Sequence, residues 1–235
     1  MGIPDNFNVL EEQIDIKLQA KYFEFVRKFR EGKSVGRYLK QKNKIFDPDI
    51  DVITKKKVLT ALASSVEVED FRIIEKYLEN PEHELKEWAT LALQESRMLL
   101  QSSLLDEQQV FISTGLGGKG QKLRYFVVFI NRSGGELSPM QKKLLNDELK
   151  YSLEKSNGEL EELNCMIDFT TAMVVLPITS LLKDLFQGVI DECNQYGDFL
   201  QDDIVITNVK RLNPVEILDL LKQQKDAGYE DEEKG

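Results

Sequence analysis

The sequence contains few of the side chains on which many enzymes and metal sites depend. It has one histidine, His83, and two cysteines, Cys165 and Cys193, in 235 residues. One histidine is too few for a paired-histidine metal site, and no Ser-His-Asp or Cys-His arrangement is evident around it. Neither cysteine has a histidine or cysteine at metal-ligand spacing. We therefore predict a non-enzymatic protein without a cofactor or metal. Catalysis by carboxylates alone, or by a metal with other ligands, stays open.

Long apolar runs are also absent. No segment reaches the roughly 18 consecutive apolar residues that a membrane-spanning helix needs. The first residues, MGIPDNFNVLEEQ, show no basic stretch followed by an apolar one. We expect neither export nor membrane insertion, and we expect the two cysteines to be buried free thiols in a reducing compartment. The prediction is a cytoplasmic protein with no membrane partner.

Charge is distributed unevenly along the chain. The net charge is −10, yet residues 1–105 carry 17 basic and 18 acidic side chains, which leaves −9 for residues 106–235. Residues 21–44 hold nine lysines and arginines against two glutamates. A nucleic-acid hypothesis assigns phosphate contacts to Lys21, Arg27, Lys28, Arg30, Lys33, Arg37 and Lys40, beside aromatic side chains that stack on bases. Because the whole chain is acidic, we favour a solvated helix face or a surface that docks against the acidic second half.

Apolar residues recur at helical spacing through the first 105 residues. Ile14, Leu18, Tyr22, Val26 and Phe29 follow three- and four-residue steps and predict a helix over 12–31. Further helices are predicted over 51–64 and 69–79 and from Pro81 onward, with 32–50 as a connector that contains two glycines and a proline. The sequence therefore predicts an all-helical part that spans residues 1–105.

One helix pair in this part resembles a known repeat. The segment RIIEKYLENPEHELKEWATLALQE, within residues 69–100, has an apolar first helix, an Asn-Pro turn and small residues in the second helix. It resembles a HEAT-type repeat, and residues 51–64 give a partial second copy. A single helix pair cannot bury both of its apolar stripes, so neighbouring helices must cover them. HEAT arrays generally serve as protein-binding scaffolds, so the resemblance implies a protein partner, with a purely structural cap as the alternative.

After residue 105 the pattern changes to strands. Strand-like runs lie at 109–114, 123–130, 160–168, 172–177 and 203–209, and helical runs follow the second, fourth and fifth of them. From residue 123 the order is βαββαβ, which resembles the ferredoxin-like arrangement. The fold class predicted is therefore α+β. Residues 1–105 are predicted to form a helical, HEAT-like part. Residues 106–225 are predicted to form a ferredoxin-like α/β sandwich with an extra N-terminal strand and a C-terminal helix. Residues 226–235 are predicted to be an acidic disordered tail.

The strand predicted at 109–114 does not fit this arrangement easily. The first strand of a ferredoxin-like sheet is interior, so a hairpin partner would compete with its two expected neighbours. Either the segment lies elsewhere, or the sheet has another strand order. An unpaired edge strand at this place also leaves pairing with a second copy of the chain open.

A glycine-rich loop is the most distinctive motif. Gly115, Gly117, Gly118 and Gly120 would let backbone amides approach a phosphate, and Lys119 would add positive charge. A phosphate loop should follow a strand and open a helix, whereas here a strand follows and no Lys-Ser or Lys-Thr pair is present. A flexible hairpin loop is therefore favoured over a ligand site.

Three functional hypotheses follow from these observations. The leading one is a non-enzymatic interaction or regulatory protein whose partner is another protein. The second is a domain that binds a phosphorylated small ligand or a nucleotide at residues 115–120. The third is an RNA-associated factor that uses the basic segment at 21–44.

Overall fold

The computed structural model describes residues 7–32, 34–105, 110–132 and 134–222. Contacts divide the chain into two units, Met1–Gly120 and Gln121–Gly235, and the fold is α+β as predicted. The division follows Gly120, whereas the change of periodicity in the sequence falls after Leu105. The tail predicted over 226–235 lies outside the described residues.

The first unit consists mainly of helices. In chain order it contains β1 (Phe7–Val9), α1 (Ile16–Glu31), α2 (Val35–Leu39), a 3₁₀ helix (Lys42–Phe46), α3 (Val52–Ala63), α4 (Val68–Glu79), a second 3₁₀ helix (His83–Leu85), α5 (Lys86–Leu105), β2 (Val110–Ile112) and β3 (Gly118–Lys119). Asp15 and Asp51 begin α1 and α3 because their carboxylates accept hydrogen bonds from first-turn N–H groups. The helix expected from Pro81 begins at Lys86 instead, since a 3₁₀ turn comes first.

The apolar stripes of these helices meet in one core. Tyr22, Leu59, Ile74 and Trp88 come from α1, α3, α4 and α5 and belong to a single buried cluster. The strand predicted at 109–114 exists as β2, but it forms no hairpin with the strand that follows the glycine loop. It pairs in parallel with β1, so that Phe7–Val9 faces Val110–Ile112 in a separate two-stranded sheet.

The second unit follows the predicted βαββαβ order. Its elements are β4 (Lys122–Asn131), α6 (Pro139–Lys155), β5 (Glu159–Cys165), β6 (Phe169–Pro177), α7 (Leu182–Asn194), β7 (Leu200–Thr207) and a helical segment at 214–222. The strands lie in the order β7-β4-β6-β5, and each neighbouring pair is antiparallel. This is the ferredoxin-like order, in which the first strand is interior. A capping box is present at the start of α6, with Ser138 and Gln141 exchanging hydrogen bonds.

Helices α6 and α7 pack side by side and against the sheet. The ring of Phe129 on β4 lies 6.1 Å from that of Phe186 on α7. Every residue of β4 from Tyr125 to Asn131 is buried, so both faces of this interior strand are covered. The outer sides of α6 and α7 are left exposed.

Candidate functional site

The basic residues singled out in the sequence lie on and next to the first two helices. Lys21, Arg27, Lys28 and Arg30 are on α1, Arg37 is on α2, and Lys40 follows α2. All six are exposed. Lys33 lies outside the described residues.

Two of these cations are already engaged in ion pairs. The ammonium of Lys28 lies 2.7 Å from the carboxylate of Glu24, one helical turn away. The guanidinium of Arg30 lies 2.8 Å from Glu95 on α5 and also donates to the hydroxyl of Ser64. Within the part of the chain that the structure describes, the other cations, Lys21, Arg27, Arg37 and Lys40, make no ion pair. These four charges are available to a partner.

The aromatic side chains of the basic segment pack mainly against one another. The ring of Trp88 on α5 meets those of Tyr22 at 5.0 Å and Phe25 at 5.2 Å, both edge to face. Phe25 stacks on Phe29 at 6.3 Å, and Phe29 contacts Tyr38 of α2 at 5.5 Å. Such contacts between rings add to the stability gained by burial. The aromatic residues therefore form a structural cluster that joins α1, α2 and α5.

Three cations lie over two rings of this cluster. The ammonium of Lys56 on α3 lies 4.5 Å from the centre of the Trp88 ring. Lys57 and Arg37 each lie 5.9 Å from the centre of the Tyr38 ring. Distances of this size are typical of cation–π contacts. The sequence interpretation missed Lys56 and Lys57, although the run Lys-Lys-Lys at 55–57 was a visible signal.

We define the basic-aromatic surface as Lys21, Lys28, Arg37, Lys56 and Lys57 around the cluster. Lys21 and Lys28 are seven residues apart and so share one side of α1, where Phe25 lies between them. Arg27 and Lys28 are about 100° apart around α1, so Arg27 belongs to a different side. The seven cations chosen from the sequence therefore do not form one face.

A partly buried hydrogen-bond network anchors α1. The hydroxyl of Tyr22 donates to Glu95 at 2.6 Å, and Arg30 binds the other oxygen of the same carboxylate. Burial, reinforced by the negative charge of Glu95, raises the pKa of Tyr22 well above its ordinary value. The phenol thus stays protonated and remains a donor. This contact fixes α1 against α5.

The glycine-rich loop is built around residues 11 and 12. Gly117 has φ +67°, and a Cβ at this position would come within 2.4 Å of the Glu11 carbonyl oxygen. The amide of Gly118 donates to that carbonyl at 3.3 Å, and the amide of Gly120 donates to the Glu11 carboxylate at 2.9 Å. Gly115 is buried, and Lys119 is exposed. The loop thus holds the segment before α1, which is a structural use of these glycines, and its use as a phosphate site remains a prediction.

The remaining reactive side chains are not brought together. His83 is exposed at the start of a 3₁₀ helix. Cys165 and Cys193 are free, and burial raises the pKa of the Cys193 thiol to about 12. In residues 7–32, 34–105, 110–132 and 134–222, no group of three His, Cys, Asp or Glu side chains is placed to hold a metal ion. No helix in the same residues has the length and apolarity needed to cross a bilayer.

Comparisons with known proteins add little to this description. No protein-family model matches the chain, and no curated protein matches it at a significant level. One solved structure with partial likeness is that of a "putative transposase" from Deinococcus radiodurans R1, with a TM-score of 0.39 and 16% sequence identity. The likeness covers 46% of this chain and 94% of that chain. At this TM-score it carries no argument about this protein.

Proposed function

We propose that this protein is a non-enzymatic, cytoplasmic interaction protein whose HEAT-like helical domain binds an acidic segment of a partner protein. The observation that carries the proposal is the basic-aromatic surface. Lys21 and Arg37 are exposed there without an ion pair among the described residues, and Lys56 and Lys57 lie over the Trp88 and Tyr38 rings of the same cluster. Opposite charge on a partner would steer its approach to this surface.

Burial of the aromatic rings favours a protein over single-stranded nucleic acid as the partner. Nucleic-acid binding of that kind depends on open ring faces on which bases stack. Trp88 and Phe29 are buried, and Lys56 lies over the Trp88 ring. Phe23 is the most open ring on α1, at 42% exposed. The rings therefore serve to fix the positions of the cations, and the cations supply the contact.

The test is affinity purification of the full chain from its own host, with and without nuclease, read by quantitative mass spectrometry. The variant Lys21→Glu/Arg37→Glu reverses two charges on the basic-aromatic surface. The matched control, Lys150→Glu/Lys183→Glu, makes the same change at two exposed lysines of α6 and α7. We expect a nuclease-resistant protein partner in near-stoichiometric amount that the first variant loses and the control keeps.

The other outcomes contradict the proposal in distinct ways. Retention that nuclease abolishes would favour the RNA hypothesis. A partner that both variants retain equally would place the interaction elsewhere on the chain. If no partner is found, and a phosphorylated metabolite raises the melting temperature of the wild type but not of Lys119→Ala, the glycine-loop hypothesis would replace this one.

A further inference from the structure

The outer sides of α6 and α7 leave a furrow between them, which we call the α6–α7 furrow. At one end, Met140 and Leu144 of α6 and Tyr196 after α7 line a hollow of about 610 Å³. At the other end, Leu181 and Leu185 line a second hollow of about 550 Å³, beside the last turn of α6. The start of α6 therefore lies next to the end of α7, so the two helices run antiparallel and the furrow follows both.

Large apolar side chains are exposed along this furrow. Met140 is 82% exposed, and Leu181 and Tyr196 are each 74% exposed. Leu181, Leu185, Gly188 and Tyr196 follow one another at helical steps, so they lie on one side of α7. Single exposed apolar residues are ordinary on protein surfaces, but an aligned set along a groove marks an interaction site.

Gly188 lies halfway along this stripe, inside α7. Glycine is unfavourable in a helix interior, where only proline is worse. A Cβ at Gly188 would meet no atom within 4 Å, so packing in the described chain does not require glycine here. The absence of a side chain instead lets a second backbone approach the helix closely. The position suits the crossing point of another helix.

Carboxylates outnumber ammonium groups around the furrow. Asp147 and Lys143 line the first hollow, and Asp184 and Lys155 line the second. The carboxylates of Glu148 and Glu192 both act on the thiol of Cys193 and on the ammonium of Lys155. Residues 121–235 as a whole carry 13 basic and 21 acidic side chains. The ammonium of Lys155 is engaged with the ring of Tyr151, 4.2 Å from its centre. A ligand with basic edges would therefore complement the charge of the furrow.

We propose that the α6–α7 furrow binds an amphipathic helix of a partner protein, with apolar anchors in the two hollows and basic residues along its edges. From Leu181 to Tyr196 the furrow measures about 22 Å at 1.5 Å per helical residue, which matches about four turns of a bound helix. A second copy of the chain fits less well, because pairing α7 with α7 would bring Asp184 and Glu192 towards acidic residues of the same kind. This site is independent of the basic-aromatic surface.

The test is selection of helical peptides on the full-length protein. A display library of 16-residue helices keeps leucine along one side and varies the flanking positions among lysine, glutamate and glutamine. Selected peptides are then measured by fluorescence anisotropy against the wild type, Gly188→Leu, and the control Lys183→Leu. The control adds the same side chain at an exposed residue about 140° around α7 from Gly188, and Lys183 lines neither hollow. Leucine favours a helix more than glycine does, so Gly188→Leu should fold, and circular dichroism checks this.

We expect lysine to be enriched at the flanking positions, and Gly188→Leu to weaken binding by at least about tenfold while Lys183→Leu has no effect. Three results would overturn the proposal: no enrichment above an unrelated protein, enrichment of glutamate, or equal binding by Gly188→Leu. A dimer in light scattering that Gly188→Leu converts to a monomer would assign the furrow to a second copy of the chain and overturn it as well.

Discussion

Lys55 offers the sharpest test of how the helical unit is stabilised. Its side chain is only 1% exposed, although it belongs to a run of three lysines on α3. Its ammonium forms an ion pair with the carboxylate of Glu82, in the turn that follows α4. The side chain of Glu82 is 42% exposed. One partner is therefore buried and the other is partly hydrated, and this difference predicts an asymmetric response to mutation.

Glu82→Gln keeps the size of the side chain but leaves the ammonium of Lys55 buried without a counter-charge. Removing one partner of a buried pair costs about 3–5 kcal/mol, and since Glu82 is partly exposed we expect about 3 kcal/mol. Lys55→Met replaces the lysine with an apolar chain of similar length and leaves a carboxylate that water can solvate. Its cost should stay below about 1 kcal/mol.

Urea unfolding followed by tryptophan fluorescence measures both free energies. Trp88 is the single tryptophan, and it is buried in the helical unit, so its signal reports on that unit. In a thermal melt, at roughly 2–4 °C per kcal/mol, Glu82→Gln should lower the melting temperature by about 6–12 °C. The double variant Lys55→Met/Glu82→Gln should recover most of this loss. If Lys55→Met destabilises the unit as much as Glu82→Gln does, the reasoning from unequal burial is refuted.

Three further predictions concern single positions. Gly117→Ala should destabilise the helical unit by about 2 kcal/mol or more, because φ is positive and a Cβ would contact backbone; Gly120→Ala, with positive φ but open space, should cost less in the same urea assay. Gly188→Ala should raise the free energy of unfolding by about 0.5–1 kcal/mol, and calorimetry that found a loss would show an unrecognised contact. The pKa of the Cys193 thiol is raised from 9.0 to about 12, so its contribution to stability is complete below pH 9 and is lost as the pH rises towards 12. In Cys193→Ala the free energy of unfolding should fall less between pH 9 and 12 than in the wild type. An equal fall in both proteins would argue that Cys193 is not the titrating group.

Much of the second unit was predictable because its signals are local. The start of α6 is indicated by hydrogen bonds and a proline within a single turn, at Ser138, Pro139 and Gln141. The continuous apolar run of β4 is typical of an interior strand, and the alternation of strands and helices leaves few strand orders open. In each case the signal lies within the element itself or in the residues that cap it.

What escaped prediction depends on contacts between distant segments. β1 is three residues long, and its partner β2 lies about a hundred residues away, so neither the pairing nor its parallel direction has a local signal. α2 has five residues and completes too few turns to show a period. Lys55 is buried although it belongs to a run of three lysines. Its partner Glu82 lies outside α3, so the sequence of α3 alone does not indicate this burial.

The same distinction separates the two proposed surfaces. Most cations of the basic segment could be identified from the sequence. The helical geometry of α1 places Arg27 on another side of the helix, and cation–π contacts add Lys56 and Lys57 to the basic-aromatic surface. The α6–α7 furrow left a trace in the sequence only at Gly188, an unfavourable residue inside a helix. Because the basic-aromatic surface carries cations, whereas carboxylates outnumber ammonium groups around the furrow, the two surfaces favour segments of opposite charge. A protein with two such surfaces would bind two partner segments of opposite charge at the same time, as a scaffold protein does.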